Sequence, residues 1–430
     1  MKKILAIYTY LYALLSIVPF LRPKYRPAGI LLWVPKLFAG ALSPVISLVC
    51  GLGAVLGLTH RDWKLTGAGL LGIGLAAKFI NDIPNSQSQF EAAFGPDWQG
   101  RVSVSPRSQL LSRPSPLLTE TPGDVGFQRD LVIGQSTKTG KPLLADLWLP
   151  PTDTPCSGLG LIYAHGSGWR VGDKDLGTRY FFRRLAGHGH VVLDLAYTLW
   201  PQADIPGMVT EIYQAVLWMK ENSAVYGVNP KRIVLMGGSA GGHLALTAAY
   251  APNHPAFLPS ADAGDTTVRG VVAFYPPVDF QALHTEIKEL ISINPSPVHK
   301  AALNLMARIF TLRPEDLEWG SSAEFETYNF AAEMIGGDLE DHPELFQLLS
   351  PINHMGPHCP PTLLLQGSDD SLVLASSVHR LYQDLKAADV PAILVEFPHT
   401  EHAFDLLLPQ ISPVAQAATK NVERFLAQLV

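Results

Sequence analysis

The stretch LMGGSAGGHLA, residues 235–245, places four glycines around a single serine, Ser239. It joins an apolar run to an alanine-rich helical pattern. Glycine weakens both strands and helices, so four glycines at this junction indicate a turn too tight for side chains. Gly237, Ser239 and Gly241 match the pattern G-x-S-x-G, in which a sharp strand-to-helix turn exposes the serine hydroxyl. We therefore predict that Ser239 is a nucleophile.

Short apolar runs alternate with helical patterns after Gly123. The runs predict an opening hairpin and six further strands, at 129–134, 142–150, 158–166, 190–197, 232–239, 270–277, 361–370 and 392–399. This alternation is typical of a mostly parallel sheet with helices on both faces. About eighty residues separate the strands that end at Pro277 and begin at Pro361. Because structureless loops of that length are rare, we expect a helical cap insertion at about 278–345.

A serine hydroxyl needs a base to become a nucleophile, and the base needs a carboxylate to orient it. In this architecture the acid and then the histidine should follow the serine along the chain, each after a strand. Asp369 and Asp370 come at the end of one predicted strand, and His399 and His402 come at the end of the last one. The residues by themselves do not decide which aspartate is the acid or which histidine is the base.

Acyl transfer also needs N–H donors for the negative oxygen of the tetrahedral intermediate. One donor is the backbone N–H of Ala240, directly after the serine. The others are expected in the loop after the third strand, which reads HGSGW over 165–169. We predict an oxyanion hole formed by Gly166, Ser167 and Ala240.

Five segments together resemble the α/β-hydrolase fold and, within it, the hormone-sensitive-lipase-like and acetyl-esterase carboxylesterases. They are LIYAHGSGWRVGDKD (161–175), VVLDLAYTLWP (191–201), NPKRIVLMGGSAGGHLA (229–245), QGSDDSLV (366–373) and HTEHAF (399–404). The resemblance runs from about residue 125 to the C-terminus. It implies that Ser239 is the nucleophile, Asp370 the acid and His402 the base, with no cofactor.

The chain departs from that family's pattern at two positions. The family commonly has three glycines after the histidine of the HGSGW loop, and here Ser167 is the middle one. It often has an acid directly before the serine, and here Gly238 stands there. The first departure bears on the oxyanion hole, and the second bears on specificity.

The first eighty residues differ in composition from the rest. The whole chain of 430 residues is 47% hydrophobic and only 16% charged, against about 25% charged in an average soluble domain. Residues 1–80 hold nine lysines and arginines and a single acid, Asp62, although the net charge of the chain is −6. A basic, apolar segment predicts contact with membrane lipid, and the acidic remainder argues against nucleic acid as a partner.

Three uncharged or nearly uncharged runs are candidates for crossing a bilayer, at 37–58, 4–20 and 65–80. The alternative is a hydrophobic hairpin that lies on the membrane or packs on the body. Small residues repeat at a spacing of four, at Gly53 and Gly57 and again at 68, 72 and 76, which predicts helices in close contact. Four lysines and arginines lie between the first two runs, and four others lie at the opposite ends of these runs. Their distribution therefore does not indicate on which face of the membrane the catalytic domain lies.

The sequence thus predicts a membrane anchor of one to three helices at 1–81, a linker rich in Pro, Ser, Gln and Gly at 82–123, and a catalytic domain at 124–430. The predicted protein is an integral membrane serine carboxylesterase or lipase that acts on a small-molecule or lipid ester without a metal. Two alternatives remain at this level. One is an amidase or peptidase with the same triad, and the other is a membrane-bound binding protein that kept the fold without catalysis.

Overall fold

A sheet of eight strands forms the centre of the molecule. The computed structural model describes residues 2–101, 124–260, 262–292, 296–302, 305 and 339–430. The strands are β1 (Gly126–Gln135), β2 (Pro142–Leu149), β3 (Gly160–Ala164), β4 (Val191–Ala196), β5 (Ile233–Gly238), β6 (Gly270–Phe274), β7 (Thr362–Gly367) and β8 (Ala392–Phe397). All eight predicted strands are confirmed.

The sheet is mostly parallel. Its strand order is β1-β2-β4-β3-β5-β6-β7-β8, with β2 antiparallel to both β1 and β4 and every later pairing parallel. Strands β3, β5, β6 and β7 are buried along their whole length, as their unbroken apolar runs require. Because parallel strands end at the same edge, the loops after β3, β5, β7 and β8 meet there.

The helices fall into an N-terminal group and a group that covers the sheet. The N-terminal helices are α1 (Lys2–Leu15), α2 (Arg26–Ala41), α3 (Ser43–His60), α4 (Trp63–Asn81) and α5 (Gln87–Phe94). The others are α6 (Arg179–Gly187), α7 (Ile205–Glu221), α8 (Ser223–Tyr226), α9 (Ala240–Tyr250), α10 (Phe280–Ser292), α11 (Pro343–Leu348), α12 (Ala375–Ala387) and α13 (Pro413–Leu426).

Two separate hydrophobic cores lie on the two faces of the sheet. Along β3, Ile162 belongs to the core that includes α7, α9 and α12, whereas Leu161 belongs to the core that includes α6 and α13. Neighbouring strand residues point to opposite faces, so this division places helices on both sides. The predicted fold class, a mostly parallel sheet with helices on both faces, is confirmed.

Helices α1, α3 and α4 pack tightly through small residues. A Cβ atom on Gly53 would overlap the side chain of Thr9 in α1, and one on Gly72 would overlap the side chain of Cys50 in α3. The close helix contacts predicted from the spacing of small residues are therefore present.

By length and composition, two helical segments of the described residues are long and apolar enough to cross a membrane, Lys2–Phe20 and Ser43–His60. The predicted span at 37–58 is wrong as a single helix, because α2 ends at Ala41 and α3 begins at Ser43. Pro44 in the first turn of α3 gives the reason, since proline favours a helix start and cannot continue a preceding helix. The third candidate, 65–80, lies within α4.

The described part of the predicted linker is folded against the body. Helix α5 and a 3₁₀ turn, Pro96–Arg101, bring the rings of Phe90 and Trp98 within 4.9 Å, and Phe94 lies 6.0 Å from Phe425 of α13. Residues 82–101 are therefore not a solvent-exposed linker, because their aromatic side chains pack into the hydrophobic core beside α13. Residues 102–123 and most of the predicted cap, 306–338, lie outside the described residues.

Candidate active site

Ser239 occupies the turn between β5 and α9. Its backbone has φ +53° and ψ −121°, a left-handed conformation that residues other than glycine seldom adopt. A Cβ on Gly241 would overlap the carbonyl of Ala164, and one on Gly237 would overlap the backbone of Gly241. The two glycines of the motif are therefore required by backbone contacts, as the sequence predicted.

His402 and Asp370 lie at the same edge of the sheet as Ser239. His402 follows β8, and its Nε2 is 2.9 Å from the Ser239 Oγ. Asp370 follows β7, and its Oδ2 is 2.8 Å from the His402 Nδ1. Both side chains are almost fully buried. The structure thus brings together the serine, acid and base that the resemblance implies.

The surroundings of Asp370 fix the direction of these hydrogen bonds. Its Oδ1 accepts from the backbone N–H of Leu372 at 3.0 Å and of Val373 at 2.9 Å, and its Oδ2 also accepts from Gln366 Nε2 at 3.1 Å. A carboxylate with these donors accepts the Nδ1–H of His402, which leaves Nε2 unprotonated and able to accept from Ser239.

The alternative acid and base point elsewhere. Asp369 Oδ2 accepts from Lys36 Nζ at 2.7 Å, and the Nε2 of His399 is 3.1 Å from Asp82. The ring of His399 lies 4.6 Å from that of Phe20. Asp369 and His399 therefore contact the N-terminal helices and not Ser239.

The loop after β3 lies beside the serine. A Cβ on Gly166 would be 3.3 Å from the Ser239 Cβ. The backbone of this loop therefore closely approaches the tight turn at residues 237–241, which we call the elbow. Ser167, Gly168 and Trp169 all have positive φ angles, of +84°, +63° and +61°. Among the turn and loop hydrogen bonds of the described residues, no backbone carbonyl accepts from the N–H of Gly166 or Ser167. Ala240 is the first residue of α9, where an N–H has no partner within the helix.

His165 supports this loop. Its Nδ1 lies 2.9 Å from the Gly166 carbonyl oxygen, and its ring stacks on Tyr197 with centroids 4.5 Å apart. The Tyr197 hydroxyl donates to the His165 carbonyl at 2.9 Å. Burial lowers the pKa of His165 to about 4, so the ring is neutral at physiological pH and holds the loop without a charge.

A small cavity opens at the Ser239 side chain. It is lined by Trp33, Tyr163, His165, Gly166, Ser167, Leu176, Thr178, Gly238, Ser239, Tyr275, His402, Ala403 and Leu406. Trp33 comes from α2, so the N-terminal helices contribute to the cavity. The described residues contain no group of three or more His, Cys, Asp or Glu side chains that could hold a metal ion.

The glycine before the serine has a steric explanation. A Cβ on Gly238 would be 3.2 Å from the Tyr275 hydroxyl and 3.3 Å from the Tyr163 hydroxyl, so tyrosines fill the space that a side chain would need. Tyr275 donates a hydrogen bond to Asp405, whose pKa is raised to about 6 by burial. The Tyr275 ring also lies 4.4 Å from that of His402. A carboxylate is thus present near the elbow, but it comes from another loop.

Sequence reasoning missed three residues around the triad. Trp33 Nε1 donates to the His402 carbonyl oxygen at 2.7 Å, and Lys36 lies close to both Asp369 and Glu401. Burial raises the pKa of Glu401 to about 7, against the opposing charge of Lys36. The available signal was Lys36 itself, a cation directly before the uncharged run at 37–58 of the predicted anchor.

Two curated proteins are similar to this chain in sequence. The probable carboxylic ester hydrolase LipM of Mycobacterium tuberculosis is 29% identical over 287 residues, which cover 66% of this chain and 58% of LipM. The esterase LipQ of the same organism is 26% identical over 328 residues, covering 73% of this chain and 68% of LipQ. The chain therefore spans less than two thirds of LipM.

Solved structures agree on the fold. Esterase 2 of Thermogutta terrifontis superimposes with a TM-score of 0.51 at 20% identity, covering 71% of this chain and 94% of that one. A truncated carbohydrate esterase from gut microbiota gives a TM-score of 0.50 at 18% identity, covering 72% and 97%. At these identities the likeness concerns the fold alone. The model of the BD-FAE family matches residues 145–385, more than half of the sequence, and the chain belongs to the BD-FAE family.

Proposed function

We propose that this protein is a membrane-anchored serine carboxylesterase or lipase that hydrolyses carboxylic esters through Ser239, His402 and Asp370. The observation that carries the proposal is the continuous chain of hydrogen bonds from the Ser239 Oγ to His402 and on to Asp370, with separations of 2.9 Å and 2.8 Å. A serine hydroxyl held in this way can lose its proton to the imidazole as it attacks a carbonyl carbon.

The acylation step follows from this geometry. Ser239 Oγ forms a bond to the ester carbonyl carbon while its proton passes to His402 Nε2. The tetrahedral intermediate collapses, the bond to the alcohol oxygen breaks, and the alcohol takes the proton from the imidazolium. Asp370 holds the imidazole in the required tautomer and stabilises its positive charge.

Deacylation repeats the same proton transfers with water in place of the serine. Water attacks the acyl-enzyme carbonyl as His402 takes its proton, and the acid leaves as Ser239 regains a proton. In both steps the N–H groups of Gly166, Ser167 and Ala240 are proposed to stabilise the negative oxygen. Loss of one such donor typically costs about 2.7–4 kcal/mol in the transition state.

The exposed faces of α1, α3 and α4 support membrane anchoring. Small residues point between these helices, and large apolar side chains point outward. Large apolar side chains exposed in this number on neighbouring helices are typical of contact with lipid. The exposed side chains are Ile4, Ile7, Tyr8, Leu11, Leu14, Leu48, Leu52, Val55, Leu58, Leu70 and Leu71.

The proposal is tested with the full chain in detergent and a series of p-nitrophenyl esters of increasing acyl length. We expect hydrolysis that Ser239→Ala abolishes without changing the melting temperature. The p-nitroanilide of the best acyl group tests the amidase alternative, which faster cleavage of the anilide would favour. Anchoring is tested separately by alkaline carbonate extraction of membranes, where release of the chain into the soluble fraction would contradict an integral anchor.

A further inference from the structure

Helix α2 lies against the two loops that carry Asp370 and His402. Lys36 Nζ is 2.7 Å from Asp369 Oδ2 and 3.5 Å from Glu401 Oε1. Asp369 directly precedes Asp370, and Glu401 directly precedes His402. One lysine from the predicted anchor therefore contacts the nearest chain neighbour of both the proposed acid and the proposed base.

The two loops are also joined to each other at this point. Glu401 Oε2 accepts from the Ser371 backbone N–H at 2.9 Å and from its hydroxyl at 3.0 Å. The Asp369 N–H donates to the carbonyl of Thr400 at 3.0 Å. Lys36 thus closes a ring of hydrogen bonds and ion pairs that fixes the loop after β7 relative to the loop after β8.

Other residues on the same face of α2 reach the same loops. Arg26 donates to the carbonyls of Ser371 and Leu372 at 3.2 Å and 3.1 Å, and Trp33 donates to the carbonyl of His402 at 2.7 Å. Positions 26, 33 and 36 follow the spacing of one helix face. The contact is therefore a packed helical interface and not an isolated ion pair.

Burial makes the charge of Lys36 necessary. The exposed fractions of the Lys36, Asp369 and Glu401 side chains are 2%, 8% and 2%. Removing Lys36 would take away the cation paired with Glu401 and would leave Asp369 with Arg22, which lies 3.1 Å away and is 56% exposed. A buried charge that loses its partner is strongly unfavourable. Without Lys36, the loops would have to move so that the two carboxylates reach water or separate.

We propose that Lys36 is a positioning residue that aligns Asp370 with His402 by holding Asp369 and Glu401. The inference rests on the proposed function. It has the consequence that α2 is part of the catalytic unit, although the sequence assigns it to the anchor. The proposed catalytic domain at 124–430 would then lack a component of its active site.

The test compares Lys36→Met, Lys36→Arg and the control Lys78→Met in the full chain. Lys78 forms an ion pair of similar length with Asp82 in the same N-terminal segment, but its side chain is 55% exposed. We measure kcat and KM on a short p-nitrophenyl ester, the rate of labelling by a fluorophosphonate, and the melting temperature.

For Lys36→Met we expect kcat and the labelling rate to fall by about tenfold or more with KM nearly unchanged, because a displacement of about 1 Å in a catalytic group can cost about 10²-fold. Lys36→Arg, which keeps the charge, should recover most of the loss. Lys78→Met should match the parent.

A kcat for Lys36→Met within twofold of the parent, or a change confined to KM or to the melting temperature, would overturn the inference. If Lys36→Met does not fold, the triple variant Lys36→Met, Asp369→Asn, Glu401→Gln removes all three charges together and decides the question by the same kcat criterion. The variant Ser239→Ala separates the two proposals, since its full activity would refute the proposed function itself.

Discussion

The indole Nε1 of Trp33 donates a hydrogen bond to the backbone carbonyl of His402, and the two atoms are 2.7 Å apart. The Trp33 and His402 rings also meet edge to face, with centroids 6.2 Å apart. Trp33 lines the cavity beside Ser239 as well. A residue from the first tenth of the chain therefore contacts the proposed base directly.

The variant Trp33→Phe tests this contact. Phenylalanine keeps an aromatic wall but removes the Nε1 donor, which leaves a buried carbonyl without its partner at a cost of about 1–3 kcal/mol. We expect kcat on a short ester to fall about fivefold or more, since 1 kcal/mol corresponds to about a factor of five. The control is Trp63→Phe, whose side chain is exposed. An unchanged kcat for Trp33→Phe would show that this hydrogen bond does not hold the base.

The adjacent acids should differ in the kind of defect they cause. Asp370→Asn removes the partner of His402 Nδ1, and the equivalent change in a related triad costs about 10⁴ in kcat. Asp369→Asn keeps that contact but weakens the pairing with Lys36, so we expect a smaller loss of kcat together with a lower melting temperature. Steady-state kinetics and thermal melts of both variants check the ranking. A larger kcat defect in Asp369→Asn would move the acid to that position.

The elbow glycines should be intolerant of a methyl group. In Gly241→Ala the new Cβ would overlap the backbone carbonyl of Ala164. A Cβ is attached directly to the backbone, so no side-chain rotation can relieve this overlap. We expect a large loss of stability or of folded yield, measured by thermal melts. The matched control is Gly100→Ala, because a Cβ there meets nothing within 4 Å. Parent-like melting of Gly241→Ala would mean that the turn is looser than described.

Glu401 should make stability depend on pH. Its pKa is raised to about 7 by burial, despite Lys36 and the donors of Ser371, and with the carboxylate of Asp370 adding to the rise. A raised pKa means that the folded state binds the proton more tightly. The contribution of this group to stability is therefore present below about pH 4.5 and is lost as the pH rises to about 7.

The variant Glu401→Gln tests this effect. It removes the titrating group, so its melting temperature should fall less than that of the parent between pH 5 and pH 8. Each pKa unit corresponds to about 1.4 kcal/mol, which makes the difference measurable. Parallel curves for the two proteins over this range would contradict the raised pKa.

Local patterns were enough to predict the sheet and the elbow. Gly237 and Gly241 surround Ser239 within five residues, and the strands read directly as apolar runs. The rule that the acid and the base follow strands limited them to Asp369 or Asp370 and to His399 or His402, and the resemblance to the carboxylesterases selected Asp370 and His402. Each of these features depends on neighbours in sequence or on a general rule of the fold.

The contacts of α2 could not be predicted in the same way. Lys36 pairs with Asp369 and Glu401 across more than 300 positions, and an isolated lysine in an apolar segment has many possible partners. From the sequence, Asp369 was therefore considered only as the alternative to Asp370 as the acid. The break between α2 and α3 is different, since Pro44 marks it in the sequence.

The most direct test of the central claim is to find which residue forms the covalent intermediate. The full chain in detergent is treated with a fluorophosphonate, digested, and analysed by peptide mass spectrometry. We predict a single adduct on Ser239, with no labelling of Ser239→Ala and loss of ester hydrolysis in proportion to the labelled fraction. An adduct on another residue that accompanies the loss of activity, or ester hydrolysis by Ser239→Ala within tenfold of the parent, would contradict the assignment of Ser239 as the nucleophile.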